Sequence, residues 1–280
     1  MREALTVIIF STVVLIAFAI CVATGFGHGA PDVCLLTTPN GCYCEYFDPA
    51  KIGTFGVRQP WNTWSNLMGI VFGGFVAWGA WGVRTRDTDQ DRLKNRMRDN
   101  SKPWYPLLYI CVVVFLGLGS MWFHGSIVQW AGFIDLLSMF LFVTFILYYS
   151  WLRCRPTVND TRLKDILFPV IYVLVAVGVT TLAYVKNIDS VTMIIPIIAL
   201  ALGMEIANFF IYPDGRSDWR GYVILGIGAA SFGLAALFRS LGVTDGSLCF
   251  PHGFQAHALW HWLAGVTSMC FYFYWIRCKT

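Results

Sequence analysis

Long apolar runs alternate with short polar connections along the whole chain. Eight runs, roughly 4–24, 62–83, 104–124, 133–152, 166–185, 191–211, 221–240 and 256–276, approach the 20 or so residues that a helix needs to cross about 30 Å of hydrocarbon. The pattern predicts an all-α membrane protein: a seven-transmembrane helix bundle at 62–280 with an extra N-terminal transmembrane helix at 1–24, eight spans in all. Residues 25–61 form a cysteine-bearing loop between the two parts. The first run also has features of a secretory signal peptide, with Arg2 ahead of an apolar core and small residues in "GFGHGA". Its apolar core of about 20 residues is long for a signal and favours a retained anchor.

Composition supports this reading. The 280 residues are 57% hydrophobic and only 13% charged, whereas soluble domains carry about 25% charged residues. The basic residues choose an orientation, because Lys and Arg stay on the cytoplasmic side. Arg2, the connections 84–103, 153–165 and 212–220, and the tail after 276 together hold sixteen of the 20 Lys and Arg residues. Both termini are therefore expected in the cytoplasm. The net charge of +4 reflects this asymmetry and excludes a nucleic-acid partner.

The same topology sorts the nine cysteines. Cys34, Cys42, Cys44 and Cys249 fall in extracytoplasmic loops, where they can form two disulfides with three alternative connectivities. A zinc-binding cysteine cluster is the rival reading. The one-residue spacer of "CYC", with no second close pair, speaks against it.

Polar residues inside the spans carry the candidate chemistry. An imidazole among hydrocarbon costs free energy unless something bonds it. Ser120 and His124, four apart on one helical face, end an outward-running span, and Asp135 opens the next inward one. His257 and His261 occupy the first two turns of the last span, so all five side chains are expected at one depth. Three neutral imidazoles suit zinc, which in catalytic sites takes three protein ligands and keeps one position for water. Asp135 then reads as general base or supporting carboxylate, and Ser120 as a hydroxyl bonding the water or a developing oxyanion. Haem or copper would explain two histidines but not the acid and the serine. The pair H-x-x-x-H alone is a weak signal, and it lacks the Glu of the H-E-x-x-H proteases.

Other polar residues have plainer expectations. Asn62, Ser65 and Asn66 at the start of the second span read as inter-helix glue, with contact around the metal as the alternative. Glu205 and Asn208 lie deep in an inward-running span, where Glu205 is expected to pair with a basic residue. Arg239 is expected to snorkel or to pair with Asp245, with a grip on the substrate headgroup as the lesser alternative. His28 and His252 read as solvated loop residues, and Trp61, Trp104, Tyr149 and Trp275 as interface anchors.

The set Ser120, His124, Asp135, His257 and His261 resembles the superfamily that joins alkaline ceramidases, adiponectin/progestin-type receptors and GPI-lipid remodelling hydrolases. "WNTWSN" at 61–66, "DGSLC" at 245–249 and "QAHALWH" at 255–261 resemble the ceramidase branch in particular, over roughly residues 42–276. That resemblance implies zinc on His124, His257 and His261, with Asp135 and Ser120 around the water, and cleavage of a ceramide amide to a long-chain base and a fatty acid. It also implies a Cys44–Cys249 disulfide, which leaves Cys34–Cys42 as the second. The ceramidases resemble one another in an amino-terminal Ca2+ site as well. Here Glu45 matches one acidic position and Asp48 could substitute for another, but Cys42 and Gln59 stand where acids are expected, which argues against calcium. The receptor branch is the alternative function, distinguished by a metal on the cytoplasmic side, and an ester-cleaving lipid remodelling hydrolase is another. The expected partner is a ceramide-like membrane lipid.

Overall fold

A computed structural model of the chain describes residues 2–27, 29–32, 34, 43–86, 97, 104–153, 162–211 and 217–278. The described residues form helices α1 (Arg2–Thr24), α2 (Pro60–Ser65), α3 (Met68–Arg86), α4 (Trp104–Ser126), α5 (Gln129–Arg153), α6 (Arg162–Lys186), α7 (Ser190–Ile211), α8 (Trp219–Leu241) and α9 (Ala256–Trp275). Six of them, α1 and α4 to α8, are long and apolar enough to cross a membrane, α6 by its segment from Pro169 onward. Helices α3 and α9 are long too, but Gly and Trp residues in α3, and His, Trp and Tyr residues in α9, dilute their apolar character.

Exposure on the outside of the bundle matches a lipid surround. Leu5, Ile8, Ile9, Val13, Ile16 and Ile20 of α1 all stand exposed, as do Leu174 of α6 and Phe210 of α7. Such a continuous apolar surface is far larger than water-soluble monomers tolerate, whereas the backbone groups of these helices are satisfied internally, as hydrocarbon requires.

In the interior, α4 packs on α2, α3 and α5, while α9 packs on α3 and α8; α5 carries α6 and α7 on its other side. Helix α1 lies against α3 and α4. The second apolar run departs from the single helix expected over 62–83. It breaks at Asn66 and Leu67, where the bonds Asn66 N to Thr63 O (3.3 Å) and Leu67 N to Trp64 O (3.1 Å) tighten the turn to an i→i+3 pattern. The turn brings the Asn66 carbonyl onto Gly117 of α4, where a Cβ would lie only 2.2 Å from that oxygen. Glycine at 117 is what permits this approach of two backbones.

A buried polar knot closes the end of the bundle opposite the histidines. The Glu205 carboxylate accepts hydrogen bonds from Ser150 Oγ (2.8 Å), Tyr274 OH (3.0 Å) and Trp275 Nε1 (3.0 Å), and pairs with the Arg153 guanidinium at 2.5 Å. Asn208 Nδ2 donates to the Ser150 carbonyl. Glu205 thus meets a basic residue, as expected. Tyr149 and Trp275 do not sit at an interface as anchors: both are buried, 4.6 Å apart between ring centres, because the indole N–H of Trp275 turns inward to the carboxylate.

At the histidine end, the segment before α2 is stitched to the bundle. Asp32 N donates to Ile127 O and Gln129 N to Ala30 O around an antiparallel bridge between Pro31 and Val128. Arg58 N and Gln59 N donate to the carbonyls of Gly125 and His124. Cys44 and Cys249 form a disulfide that ties this segment to the loop before α9. Cys34 is also disulfide-bonded, while Cys42, and with it the Cys34–Cys42 pairing, lies outside the described residues. His28 lies outside them as well, and His252 is exposed, 4.9 Å from the Tyr46 ring.

Candidate metal centre

His124 stands in the last turn of α4, and His257 and His261 face it from the first two turns of α9. A four-residue step is one helical turn, so the two α9 rings share a face. Ring centres are 5.1 Å apart for His124 and His257, 5.2 Å for His124 and His261, and 4.6 Å for His257 and His261. One nitrogen from each ring lies within 4.8 Å of the other two, the spacing of ligands around one ion. Among the described residues this trio is the group of His, Cys, Asp or Glu that meets such a spacing.

The neighbours of these rings assign their tautomers. Gln59 Oε1 lies 2.6 Å from His124 Nδ1, and the other end of that amide, Nε2, donates to the Glu45 carbonyl. A carbonyl oxygen only accepts, so His124 Nδ1 carries the proton and Nε2 presents its lone pair. Ser65 Oγ lies 2.6 Å from His261 Nδ1 and spends its own hydrogen on the Asn62 carbonyl at 2.9 Å. The serine therefore accepts from His261 Nδ1–H, and Nε2 of that ring is again the free lone pair.

His124 Nε2, His261 Nε2 and His257 Nδ1 are buried without a hydrogen-bond partner. Orphaned buried nitrogens are costly. Two imidazole lone pairs oriented by hydrogen bonds at the opposite nitrogen, with a third imidazole beside them, fit a zinc ion, whose histidine ligands are held through their distal N–H in this way.

Ser120 and Asp135 are in place beside the trio. They share a narrow cavity with His257, His261, Tyr43 and Asn66, walled otherwise by apolar side chains such as Leu116, Phe142 and Phe232. Ser120 is hydrogen-bonded to Asp135, whose Oδ1 is buried and unpartnered. The structure thus assembles all five side chains that the sequence places at one depth. Asn62 and Asn66 are fully buried one turn apart, with Asn66 Nδ2 bonded to the Asn62 carbonyl; of the three polar residues in this stretch, Ser65 reaches a histidine directly.

Three residues escaped sequence reading. Gln59 figured only as a missing acid, yet it orients His124. Tyr43, at a positive φ of 62°, stacks on His257 with ring centres 3.8 Å apart and covers the trio. Its place is held by the adjacent disulfide and by Thr244 Oγ1, which donates to the Tyr43 carbonyl. Asp32 shares a second cavity with Tyr43 and Asp135. None of the three belongs to a periodic run, so pattern could not mark them. Arg239 does not follow its expected partner: it is buried and paired with Asp189 at 3.0 Å, also donating to Ser190 Oγ.

Glu45 and Asp48 bond separate groups. Both Glu45 oxygens accept backbone N–H groups at the start of α2, from Trp61 (2.7 Å) and Asn62 (2.9 Å). Asp48 caps the short 3-10 turn Pro49–Lys51 and pairs with Lys51 at 3.9 Å. Burial lifts the Glu45 carboxyl above its usual range, opposed by those two N–H bonds.

A multi-pass helical membrane protein with a buried triad of imidazoles, an acid and a serine at one end is the class these features define. The ceramidase family model matches residues 57–280, and the chain belongs to that family, whose members are membrane hydrolases acting on an amide bond of ceramide. Among curated proteins, none matches the chain.

Proposed function

We propose that this protein is a zinc-dependent intramembrane hydrolase that cleaves the amide of ceramide, or of a related N-acyl lipid, to a long-chain base and a fatty acid. The observation that carries the reading is the convergence of three buried imidazoles, two with tautomers set by Gln59 and Ser65 so that lone pairs face a common point. His124, His257 and His261 would hold the ion. Zinc supplies a Lewis acid for the amide carbonyl and lowers the pKa of a water toward about 7.

The chain's own residues do the rest. Asp135, with an unpartnered oxygen at the cavity, takes a proton as water oxygen attacks the amide carbon, and returns it to the nitrogen as the C–N bond breaks. Ser120 donates its one hydrogen to the Asp135 carboxylate, and once Asp135 has taken the proton that hydroxyl turns to the charge developing on the carbonyl oxygen. Apolar walls keep the acyl chain out of water while the polar end admits it.

We also infer that α2–α3 and α9 cross the membrane with the other six, giving eight spans: an anchor (1–24) and a seven-helix catalytic domain (62–280) joined by the loop 25–61. Both termini then lie in the cytoplasm with the histidines toward the extracytoplasmic side. Supporting this orientation are the basic connections and the Cys44–Cys249 disulfide at the histidine end, since disulfides persist in oxidising compartments.

The test is fatty-acid release from ceramide by purified protein, alongside its zinc content. Release that a chelator abolishes and zinc restores, and that His257→Ala loses together with the metal, is the expected result. Metal content equal in wild type and His257→Ala would overturn the reading.

A further inference from the structure

A second cavity, of about 380 Å3, opens beside the histidine centre and shares Tyr43, Asp135 and Met139 with the narrow one. Its walls carry more polar side chains than those of the first. Asp32, Asp135 and Asp189 line it together with a single guanidinium, that of Arg239. Arg239 is already engaged: Nη2 bonds Asp189 and Ser190 Oγ, and its guanidinium lies 5.9 Å from the Tyr43 ring centre. Asp189 therefore pairs with that charge, Asp135 still feels Arg239 at a distance, and Asp32 is the acid of the three with no cation beside it among the described residues.

Three of the side chains that line this cavity, each less than a tenth exposed, carry a buried atom without a hydrogen-bond partner: Asp32 Oδ2, Asp135 Oδ1 and Arg239 Nε. Two are acceptors and one is a donor, the complement of a hydroxyl group, which donates through its hydrogen and accepts through its lone pairs. Groups left in this state are expensive unless a ligand or water satisfies them. Burial lifts the Asp32 carboxyl to about 6, so it is ionised at pH 7.5.

We propose that this cavity binds the polar head of the lipid, accepting a neutral or cationic amino-alcohol head and turning away an anionic one. The site rests on the hydrolase reading for its geometry: with the amide carbonyl at the histidines, the hydroxyls on the two carbons flanking the nitrogen-bearing carbon fall on the Asp135 side, where the two cavities meet. A phosphate there would face the Asp32 carboxylate. The ammonium released by amide cleavage would face the same carboxylate as an attractive partner. Asp32 and Tyr43 lie outside the residues matched to the family, 57–280, so this wall is supplied by the preceding segment, pinned by the Pro31–Val128 bridge.

The experiment is competition binding on the full-length, zinc-loaded protein in nanodiscs, with a fluorescent long-chain amine displaced by a long-chain 2-amino-1,3-diol or by its 1-phosphate. We expect the amino diol to bind at least about tenfold tighter than the phosphate. Asp32→Asn, and further Asp32→Asn with Asp189→Asn, should close that gap to about threefold or less. Gly132→Ala gives an independent arm, because a methyl there would come 2.0 Å from Asp32 Oδ2 and displace the carboxylate without removing it. Equal affinities in wild type, or a gap unchanged in variants that melt at or above the wild-type temperature, would overturn the proposal. Preserved discrimination in a protein that hydrolyses no lipid would support the head site while sinking the hydrolase reading; hydrolysis without discrimination would do the reverse.

Discussion

Ser65 and His261, 196 positions apart in the chain, meet in a 2.6 Å hydrogen bond between Oγ and Nδ1. That bond, with its counterpart from Gln59 to His124, decides which imidazole nitrogens offer a lone pair. Gln59→Leu and Ser65→Ala are each expected to weaken zinc binding about 10- to 100-fold, measured by competition with a calibrated chelator. Gln59→Glu keeps an acceptor opposite His124 Nδ1 and is expected to retain the metal, a contrast that a merely structural role for Gln59 would not produce.

The Glu205 knot carries stability and no chemistry. Removing the carboxylate by Glu205→Ala strands the buried Arg153 charge and should cost about 3–5 kcal/mol, seen as a lower melting temperature in detergent. Turnover per folded molecule should stay close to wild type, since the knot lies at the end of the bundle away from the histidines.

The Cys44–Cys249 bridge spans 205 positions and holds Tyr43 over His257. Its removal by Cys249→Ser is expected to cost about 2–4 kcal/mol in thermal unfolding. It should also loosen the tyrosine cover, read as faster quenching of Tyr and Trp fluorescence by a water-soluble quencher.

Asp32 gives a pH dependence with a definite sign. Burial raises its carboxyl from the usual 3.8 to about 6, so the fold prefers the protonated form. Its contribution is fully favourable below about 3.9 and is lost as pH rises through 6, a change of roughly 2–3 kcal/mol. Melting temperature should therefore fall over that window, and Asp32→Asn should flatten this part of the profile.

Gly117→Ala tests the close approach of α2 and α4. The new methyl would meet the Asn66 carbonyl at 2.2 Å, so the turn at Asn66 must shift. A destabilisation of about 1–3 kcal/mol is expected, with weaker zinc binding because Ser65, one residue before that turn, moves away from His261.

Helix positions were largely legible because hydrophobic length alone specifies a span: the runs at 104–124 and 256–276 match Trp104–Ser126 and Ala256–Trp275 within two residues. The five-residue set was legible from depth, since orientation and helical spacing place Ser120, His124, Asp135, His257 and His261 at one end. What failed were pairings decided by three-dimensional neighbours. Arg239 chose Asp189 over the expected Asp245, because the loop before α7 comes within reach of the end of α8. Tyr149 and Trp275 sit at span ends, where aromatic residues ordinarily face the interface, but the deep carboxylate of Glu205 draws the indole inward. Gln59 gave no signal, as one amide in a loop has no period to read. The break at Asn66 is set by Gly117 on another helix, which "WNTWSN" does not encode.

The histidines on α9 are made more than 130 positions after His124 on α4. Until α9 has emerged from the ribosome, His124 stands alone and Glu205 waits for Tyr274 and Trp275, so neither the ion site nor the knot can be completed before then. A product cut short before α9 therefore cannot assemble the three-imidazole centre, however well its earlier helices enter the bilayer.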